Sequence, residues 1–322
     1  MNDKGKVKLP APAQIALVVK DRERTRKFYS STFGLKPWRL AELEYPEIVV
    51  RGQKSAYRVG LAMVQCGEAD LCLVQPLQGH SLYSEFLDEG KEGLHHLAFD
   101  LTKEGKEKAL ADLREVGIEV IQGAVSSLGT GASWAYLSTD KIGGAFFEIR
   151  YRPSKTPPPI YQLAPTDEES EPKVKLPAPS QIGSVVKDLD RVMVFYSFTF
   201  GIGPWRVREA EYPEIMVRGR ISSYKLIIAN ADLGGGIDLE LVQPISGRSL
   251  YSEFLDHGKE GFHHLTFDFT REAMEHAITN VKEEGIEVIQ GAMNSAGAGE
   301  SFAYLNTDRI GGTIFKLRQR PK

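Results

Sequence analysis

Residues 81–100 read SLYSEFLDEGKEGLHHLAFD, and residues 249–268 read SLYSEFLDHGKEGFHHLTFD. Two further segments of the first half, VKLPAPAQI and EYPEIVVRG, return in the second half as VKLPAPSQI and EYPEIMVRG. A repeat of this length indicates two homologous domains rather than a solenoid of short units. We therefore predict a first domain over residues 1–151 and a second over residues 174–322.

The segment between the repeats differs from both of them. Residues 152–173 read RPSKTPPPIYQLAPTDEESEPK, which is rich in proline and charge. Such a composition favours an extended chain with little packing of its own. We predict a linker that is long enough for the two domains to meet in more than one arrangement.

The composition excludes several classes of protein. The 322 residues carry a net charge of −3, with 42% hydrophobic and 26% charged residues, which is typical of globular domains. The charge predicts no binding of nucleic acid, and no apolar run is long enough to cross a membrane. The N-terminus lacks the apolar stretch of a signal peptide, and two cysteines make no disulfide framework. We expect a cytoplasmic protein that is a monomer or a homodimer.

Hydrophobic periodicity divides each domain into two similar units. In the first half, an alternating apolar run ends at Asp21, a suitable N-cap for a helix that stops at Gly34, and three short strands follow. The pattern then restarts with a strand, a helix between Thr102 and Gly117, and three more strands. The predicted fold class is α+β, with four β-α-β-β-β units in the chain.

Histidine is scarce and placed in a regular way. Four of the seven histidines form the pairs His95-His96 and His263-His264, at equivalent positions of two predicted strands. Adjacent side chains of a strand point to opposite faces, so we expect one histidine of each pair to face the interior. Glu148 and Glu240 lie in otherwise apolar strands, where a carboxylate is costly unless it has a partner.

These segments together resemble the vicinal oxygen chelate superfamily, which includes glyoxalase I, methylmalonyl-CoA epimerase, extradiol dioxygenases and bleomycin-resistance proteins. The resemblance is carried by QIALVVKD, FYSSTFGLKPW, LVQPLQG, EGLHHLAFD and IGGAFFEIR, each with a counterpart in the second half. It covers nearly the whole chain apart from the linker. It implies two domains with curled mixed sheets.

The resemblance also implies metal ligands on the first and fourth strands of the units. The implied first-strand residues are Gln14, His96, Gln181 and His264. The implied fourth-strand residues are Cys72, Glu148, Glu240 and Lys316. Nitrogen and oxygen ligands of this kind suit Zn²⁺, with Co, Ni, Mn or Fe as alternatives. A protonated lysine has no free lone pair and cannot be a ligand.

Two pairings of the units stay open. If units pair across domains, one site is complete and the other holds both departures from the ligand pattern. The complete site then consists of Gln181, Glu240, His96 and Glu148, and the degenerate site consists of Gln14, Cys72, His264 and Lys316. If units pair within domains, each site lacks one ligand. We prefer the pairing across domains, because it leaves one intact site.

The function implied by the resemblance is proton transfer next to a carbonyl group. A bound metal ion stabilises the enolate, Glu148 acts as the base, and Glu240 acts as an opposing base in an epimerase. The expected protein is a metal-dependent isomerase, epimerase or lyase with a small carbonyl substrate. The alternatives are a metal-free protein that binds small molecules, as bleomycin-resistance proteins do, and an Fe(II) extradiol-type dioxygenase.

Overall fold

The computed structural model describes residues 5–126, 130–154, 160–165, 171–292 and 301–319. The first half contains strands β1 (Gln14–Val18), β2 (Arg39–Val50), β3 (Gln53–Cys66), β4 (Ala69–Gly79), β5 (Gly93–Leu101), β6 (Val120–Val125), β7 (Ser133–Leu137) and β8 (Phe146–Tyr151). Its helices are α1 (Arg22–Phe33), α2 (Leu82–Asp88) and α3 (Lys103–Glu115). A two-residue strand, β9 (Gln162–Leu163), follows in the linker.

The second half repeats this order of elements. Its strands are β10 (Pro179–Val185), β11 (Arg206–Val217), β12 (Arg220–Asp232), β13 (Asp238–Gly247), β14 (Gly261–Phe269), β15 (Val288–Ala292), β16 (Ser301–Leu305) and β17 (Ile314–Gln319). Its helices are α4 (Leu189–Phe200), α5 (Leu250–Asp256) and α6 (Arg271–Glu283). The predicted α+β fold with four β-α-β-β-β units is confirmed. None of the helices in the described ranges is both long and apolar enough to span a membrane.

Each half closes its own barrel. Strands β1–β8 lie in the order β3-β4-β1-β5-β8-β7-β6-β2, and β2 pairs with β3 to complete barrel 1. Strands β10–β17 form barrel 2 in the equivalent order. Strands β1 and β4 are parallel whereas β1 and β5 are antiparallel, so the sheets are mixed. The two units of each half therefore pair with each other.

Local sequence signals explain where the main helix begins and ends. The Asp21 side chain accepts a hydrogen bond from the Arg24 backbone N–H at 2.9 Å, which caps the start of α1. Gly34 adopts φ 69° at the other end, in the left-handed region that favours glycine. Ser81 and Ser84 form a reciprocal cap at the start of α2.

The first helix of each domain packs against a strand of the other domain. Phe315 of β17 lies 5.2 and 5.1 Å, between ring centroids, from Tyr29 and Phe33 of α1. In the mirror arrangement, Phe147 of β8 lies 5.3 Å from Tyr196 of α4. The outer faces of the barrels and these helices form one shared hydrophobic core, separate from the two barrel interiors.

The segments that precede each barrel cross to the other domain as well. The backbone N–H of Val7 donates to the Thr199 carbonyl of α4 at 2.9 Å, and that of Val174 donates to the Thr32 carbonyl of α1 at 2.9 Å. The repeated VKLPAP segments therefore tie each domain to the helix of the other.

One short part of the predicted linker pairs with barrel 1. Gln162 and Leu163 pair with Leu40 and Arg39 at the start of β2, although both linker residues are exposed, and Tyr161 is partly buried beside the interior of barrel 1. Strand β2 pairs with β6 only at Val49 and Val50, so the backbone groups of its first residues can accept a further short strand. Residues 155–159 and 166–170 of the predicted linker lie outside the described residues.

Candidate functional site

The predicted site residues gather by domain and not across domains. Barrel 1 holds Gln14 on β1, Cys72 on β4, His96 on β5 and Glu148 on β8. Barrel 2 holds Gln181, Glu240, His264 and Lys316 on the equivalent strands. The shared site of Gln181, Glu240, His96 and Glu148 is therefore not assembled, and the preferred pairing is wrong. The physical reason is that β1 and β10 each hydrogen-bond to strands of their own half.

The histidine pair of barrel 1 lies beside Glu148, and both rings are buried. His96 Nε2 lies 3.5 Å from Glu148 Oε2 and 3.0 Å from the Tyr136 hydroxyl. His95 is buried as well, and its Nδ1 lies 2.9 Å from Nδ1 of His96. The register shifts at His95, which lets both rings meet, so the expected division between opposite faces is wrong.

The protonation of His96 follows from its burial. Burial lowers the pKa of His96, although Glu148 acts in the opposite direction. The imidazole is therefore neutral near pH 7 and can accept or donate one hydrogen bond at each nitrogen. It orients the Glu148 carboxylate without neutralising its charge.

A buried arginine lies beside these groups and was not among the predicted residues. Arg150 donates from Nε to Asp100 at 2.9 Å and from Nη1 to the Gln14 amide oxygen at 3.0 Å. Its buried Nη2 has no hydrogen-bond partner among the described residues. The signal for it was present in the sequence, because Arg150 follows Glu148 by two residues and so shares its face of the strand. The second repeat keeps this arginine as Arg318.

Aromatic rings surround a cavity of about 180 Å³ inside barrel 1. Trp134 packs edge-on against Tyr45 at 5.5 Å and against Tyr136 at 5.6 Å, between ring centroids. Tyr57 adds a buried hydroxyl without a partner among the described residues. The repeated YPEI segment thus contributes Tyr45 to the cavity. Trp38, the last residue of the FYSSTFGLKPW segment, belongs to the shared core outside the barrels.

Barrel 2 has a different set of charges at the same positions. Lys316 Nζ lies 3.6 Å from Glu240 Oε2, and His264 Nε2 lies 3.3 Å from the same oxygen. Burial opposes ionisation of Glu240, but Lys316 and His264 outweigh it, so the carboxyl pKa is held far below its usual range. Burial lowers the pKa of His264 to about 4, although Glu240 acts in the opposite direction.

One small residue permits the histidine geometry of barrel 2. A Cβ on Gly183 would lie 1.9 Å from the His264 ring. The equivalent residue of barrel 1 is Ala16, which pairs with His96 in the same register. The His264 ring thus fits against β10, toward Glu240, whereas His96 approaches Glu148. Glu240 consequently lies inside barrel 2 and does not oppose Glu148, so its predicted role as a second base is wrong.

The donor sets of both barrels fail to fit the divalent metal ion that the resemblance implies. In barrel 2 the Lys316 ammonium lies beside the only carboxylate among the four predicted positions. In barrel 1 the Gln14 amide oxygen already accepts a hydrogen bond from Arg150, so one of the four predicted donors is engaged. Burial raises the pKa of the Cys72 thiol, which disfavours the thiolate that a metal requires. Within the described ranges, three or more histidine, cysteine or acidic residues do not converge on a metal position.

Comparison with known proteins identifies two matching regions. A family model described as the Glyoxalase/Bleomycin resistance protein/Dioxygenase superfamily matches residues 13–136 and 180–304. A search of curated proteins found no significant match.

Solved structures share the fold at low sequence identity. A triply substituted 4-hydroxymandelate synthase from Streptomyces coelicolor is 15% identical, with a TM-score of 0.62 over 97% of this chain and 93% of that one. A Mn(II)-bound glyoxalase from Novosphingobium aromaticivorans is 13% identical, with a TM-score of 0.52 over 98% and 83%. A 2,3-dioxygenase from Pseudomonas sp. KL28 is 13% identical, with a TM-score of 0.52 over 99% and 94%. At these identities the likeness shows the arrangement of the fold alone.

Proposed function

The chain belongs to the Glyoxalase/Bleomycin resistance protein/Dioxygenase superfamily, and on that basis we propose that barrel 1 binds a small organic molecule without a resident metal ion. The observation that carries the proposal is the barrel 1 cavity, which combines aromatic walls with a few buried polar groups. Glu148, Arg150 and Tyr57 each direct a polar atom toward a largely apolar space. Ligand sites of proteins have this composition, since apolar walls supply affinity and sparse polar groups fix orientation.

A matched pair of variants tests the binding site. We expect ligand-observed NMR with a library of small organic compounds to give hits on the full chain after dialysis against a chelator. Trp134→Ala removes one wall of the barrel 1 cavity and should abolish those hits. Phe302→Ala changes the equivalent residue of barrel 2 and should leave them. Hits that survive Trp134→Ala, or that need added metal, would contradict the proposal.

Proton transfer without a metal is the second candidate, and it is favoured by Glu148 and the unpartnered Arg150 Nη2, which belong to residues lining the same cavity. The Glu148 carboxylate would take a proton from a carbon next to a carbonyl group. The electron pair of the broken C–H bond forms a carbon–carbon double bond, the π pair of the carbonyl group moves to its oxygen, and Arg150 Nη2 donates a hydrogen bond to the resulting enolate. Glu148 then returns the proton to carbon, so the step needs no redox partner.

Hydrogen–deuterium exchange tests this second candidate. Pyruvate, 2-oxobutanoate and acetylacetone are incubated with the protein in D₂O, and loss of the proton signal next to the carbonyl is followed by NMR. We expect exchange above the buffer rate that survives a chelator and disappears in Glu148→Gln. Exchange at the buffer rate with every compound, or equal rates in the variant, would leave binding as the only proposed function.

A further inference from the structure

The interior of barrel 2 contains an organic cation that belongs to the chain itself. Lys316 is only 6% exposed, and its Nζ lies 5.6 Å from the ring centroid of Phe302 and 5.3 Å from that of Tyr304. Glu240 supplies the counter-charge at 3.6 Å. An ammonium between aromatic faces and a carboxylate is a stable arrangement, because the ring faces are negative. Barrel 2 is thus a cation site whose ligand is a lysine side chain.

Barrel 2 builds this site from a defined set of rings. Tyr212 and Phe302 lie 5.7 Å apart at an interplanar angle of 88°, and Phe302 and Tyr304 lie 5.7 Å apart at 80°. Tyr304 stands directly opposite Lys316 in the pairing of β16 with β17.

Barrel 1 repeats the rings in nearly the same geometry. Tyr45 and Trp134 lie 5.5 Å apart at 86°, and Trp134 and Tyr136 lie 5.6 Å apart at 76°. Tyr136 stands directly opposite Glu148 in the pairing of β7 with β8. The same set of rings is therefore present, but the residue at the lysine position is a carboxylate.

The charges at the exchanged positions differ by one. Barrel 2 has a carboxylate and an ammonium, Glu240 and Lys316, whereas barrel 1 has the uncharged Cys72 and the carboxylate of Glu148. Glu148 is 5% exposed, and its one ion-pair neighbour among the described residues is the neutral His96.

Each arginine that lines the cavity has an aspartate as its ion-pair partner. Arg39 pairs with Asp70 at 3.0 Å, and Arg150 and Arg152 both pair with Asp100. The positive charge of Arg150 interacts with Glu148, but among the described residues no cation of barrel 1 lies over the Trp134 or Tyr136 ring as Lys316 lies over Phe302 and Tyr304.

We infer that barrel 1 binds a small organic cation, a protonated or quaternary amine, whose nitrogen takes the place in the cage of Trp134, Tyr136 and Glu148 that Lys316 Nζ takes in barrel 2. This inference rests on the proposed function, because it names the class of molecule that the barrel 1 cavity receives. The lysine side chain of barrel 2 shows the chemistry of the ligand that barrel 1 takes from solution.

The test compares probes that share a shape and differ in charge. Choline and tetramethylammonium are the cations, 3,3-dimethylbutan-1-ol is the neutral carbon analogue of choline, and 3,3-dimethylbutanoate is the anion. Binding to the full chain is measured by calorimetry and by the ring-current shift of the methyl protons. We expect at least one cation to bind saturably and about tenfold or more tighter than the neutral analogue.

Three variants assign the binding to the cage. Glu148→Gln should weaken the cation about tenfold or more, while Glu44→Gln, the same charge change at an exposed position of barrel 1, should have no effect. The double variant C72E/E148K transplants the ion pair of barrel 2 into barrel 1 and should abolish binding, because the cage then holds its own ammonium. Circular dichroism checks the folding of the double variant. If the double variant does not fold, the affinity of Glu148→Gln for the cation alone decides whether the cage binds it.

The outcomes separate this inference from the function on which it rests. If the neutral or anionic probe binds in the cavity and the cations do not, the inference fails and the proposed binding function stands. Equal affinity for choline and its neutral analogue, or an unchanged affinity in Glu148→Gln, also overturns the inference. If no probe of any charge binds and the wider library gives no hit, both fail.

Discussion

Glu148 and Lys316 stand opposite equivalent tyrosines in equivalent strands, yet they carry opposite charges. Each barrel tolerates its charge because the residue at the second exchanged position has changed too. Glu240 accompanies the lysine of barrel 2, and Cys72 accompanies the carboxylate of barrel 1. A carboxylate at both positions of one barrel would place two like charges in a low-dielectric interior. The two exchanges are therefore coupled within each domain.

Lys316→Met tests this coupling through stability. It leaves Glu240 as a buried carboxylate without its ion-pair partner, which should lower the free energy of unfolding by about 3–5 kcal/mol. The double variant E240Q/K316M removes both charges and should recover most of that loss. Urea unfolding of the wild type, Lys316→Met, Glu240→Gln and the double variant gives the coupling energy. A loss below about 1 kcal/mol in Lys316→Met would mean that the pair is not coupled.

The site could be predicted from the sequence only as far as residue types and strand faces allow. His96 and Glu148 do lie together, because repeated polar residues in apolar strands indicate an interior position. The grouping across domains was wrong, since two homologous halves present the same strands and sequence alone does not select the partner. Arg150 was missed because an arginine in a strand is usually assigned to the surface.

At the scale of elements, the units were predictable and their irregularities were not. The N-cap Asp21 and the C-terminal Gly34 gave both ends of α1. Three short strands were predicted after α1, but the first of them, β2, continues to Val50, because Pro46 falls in a bulge where no backbone donor is needed. Helix α2 was not assigned from SLYSEFLD, whose reciprocal cap uses serine in place of glutamate or glutamine at the third helical position.

The first helix of each domain packs on the other domain. Substitutions at the two equivalent contacts should therefore lower the free energy of unfolding by similar amounts. Phe147→Ala and Phe315→Ala each remove a fully buried ring between a barrel and the helix of the other domain. We expect each to lower the free energy of unfolding by about 3–5 kcal/mol. Phe198 of α4 is 61% exposed, so Phe198→Ala is the control. It should change the free energy of unfolding by about 0.5 kcal/mol or less. A cost for Phe147→Ala no larger than the control would contradict the shared core.

At the scale of the molecule, the buried histidines link stability to pH. Burial lowers the pKa values of all four members of the two pairs, His95, His96, His263 and His264. The unfolded chain binds these protons near pH 6.5, whereas the folded chain takes them up only at lower pH, about 4 for His264. The unfolded state therefore binds more protons below about pH 6.5, and stability falls as the pH decreases through this window.

We expect the free energy of unfolding to decrease from about pH 7 to about pH 5 by up to roughly 1.4 kcal/mol per pH unit for each buried histidine. Urea titrations at several pH values measure the slope. His263→Asn should reduce it by the contribution of one proton. A free energy of unfolding that stays constant over this range would contradict neutral burial of the pairs.

The family resemblance seen in the sequence is confirmed by the match to two tandem regions, whereas the domain boundaries, the cytoplasmic location and the oligomeric state stay predictions. The contacts between the two halves are relevant to the predicted domain boundaries, because neither domain covers its own apolar surface. Helix α1 needs β17, helix α4 needs β8, and the segments beginning at Val7 and Val174 each bind the opposite helix. We therefore expect the two domains to fold as one unit despite having separate barrels.

Separate expression of residues 1–151 and 174–322 tests this conclusion. Each half alone would expose the ring of Phe147 or Phe315 and the apolar face of a helix, and a patch of that kind promotes association. We expect each half to self-associate or aggregate and the co-expressed halves to form a one-to-one complex, measured by size-exclusion chromatography with light scattering. Phe147→Asp in the first half places a charge in the shared core and should prevent the complex. Two monomeric halves that fold alone and do not bind each other would show that the contact between the barrels contributes little to either fold.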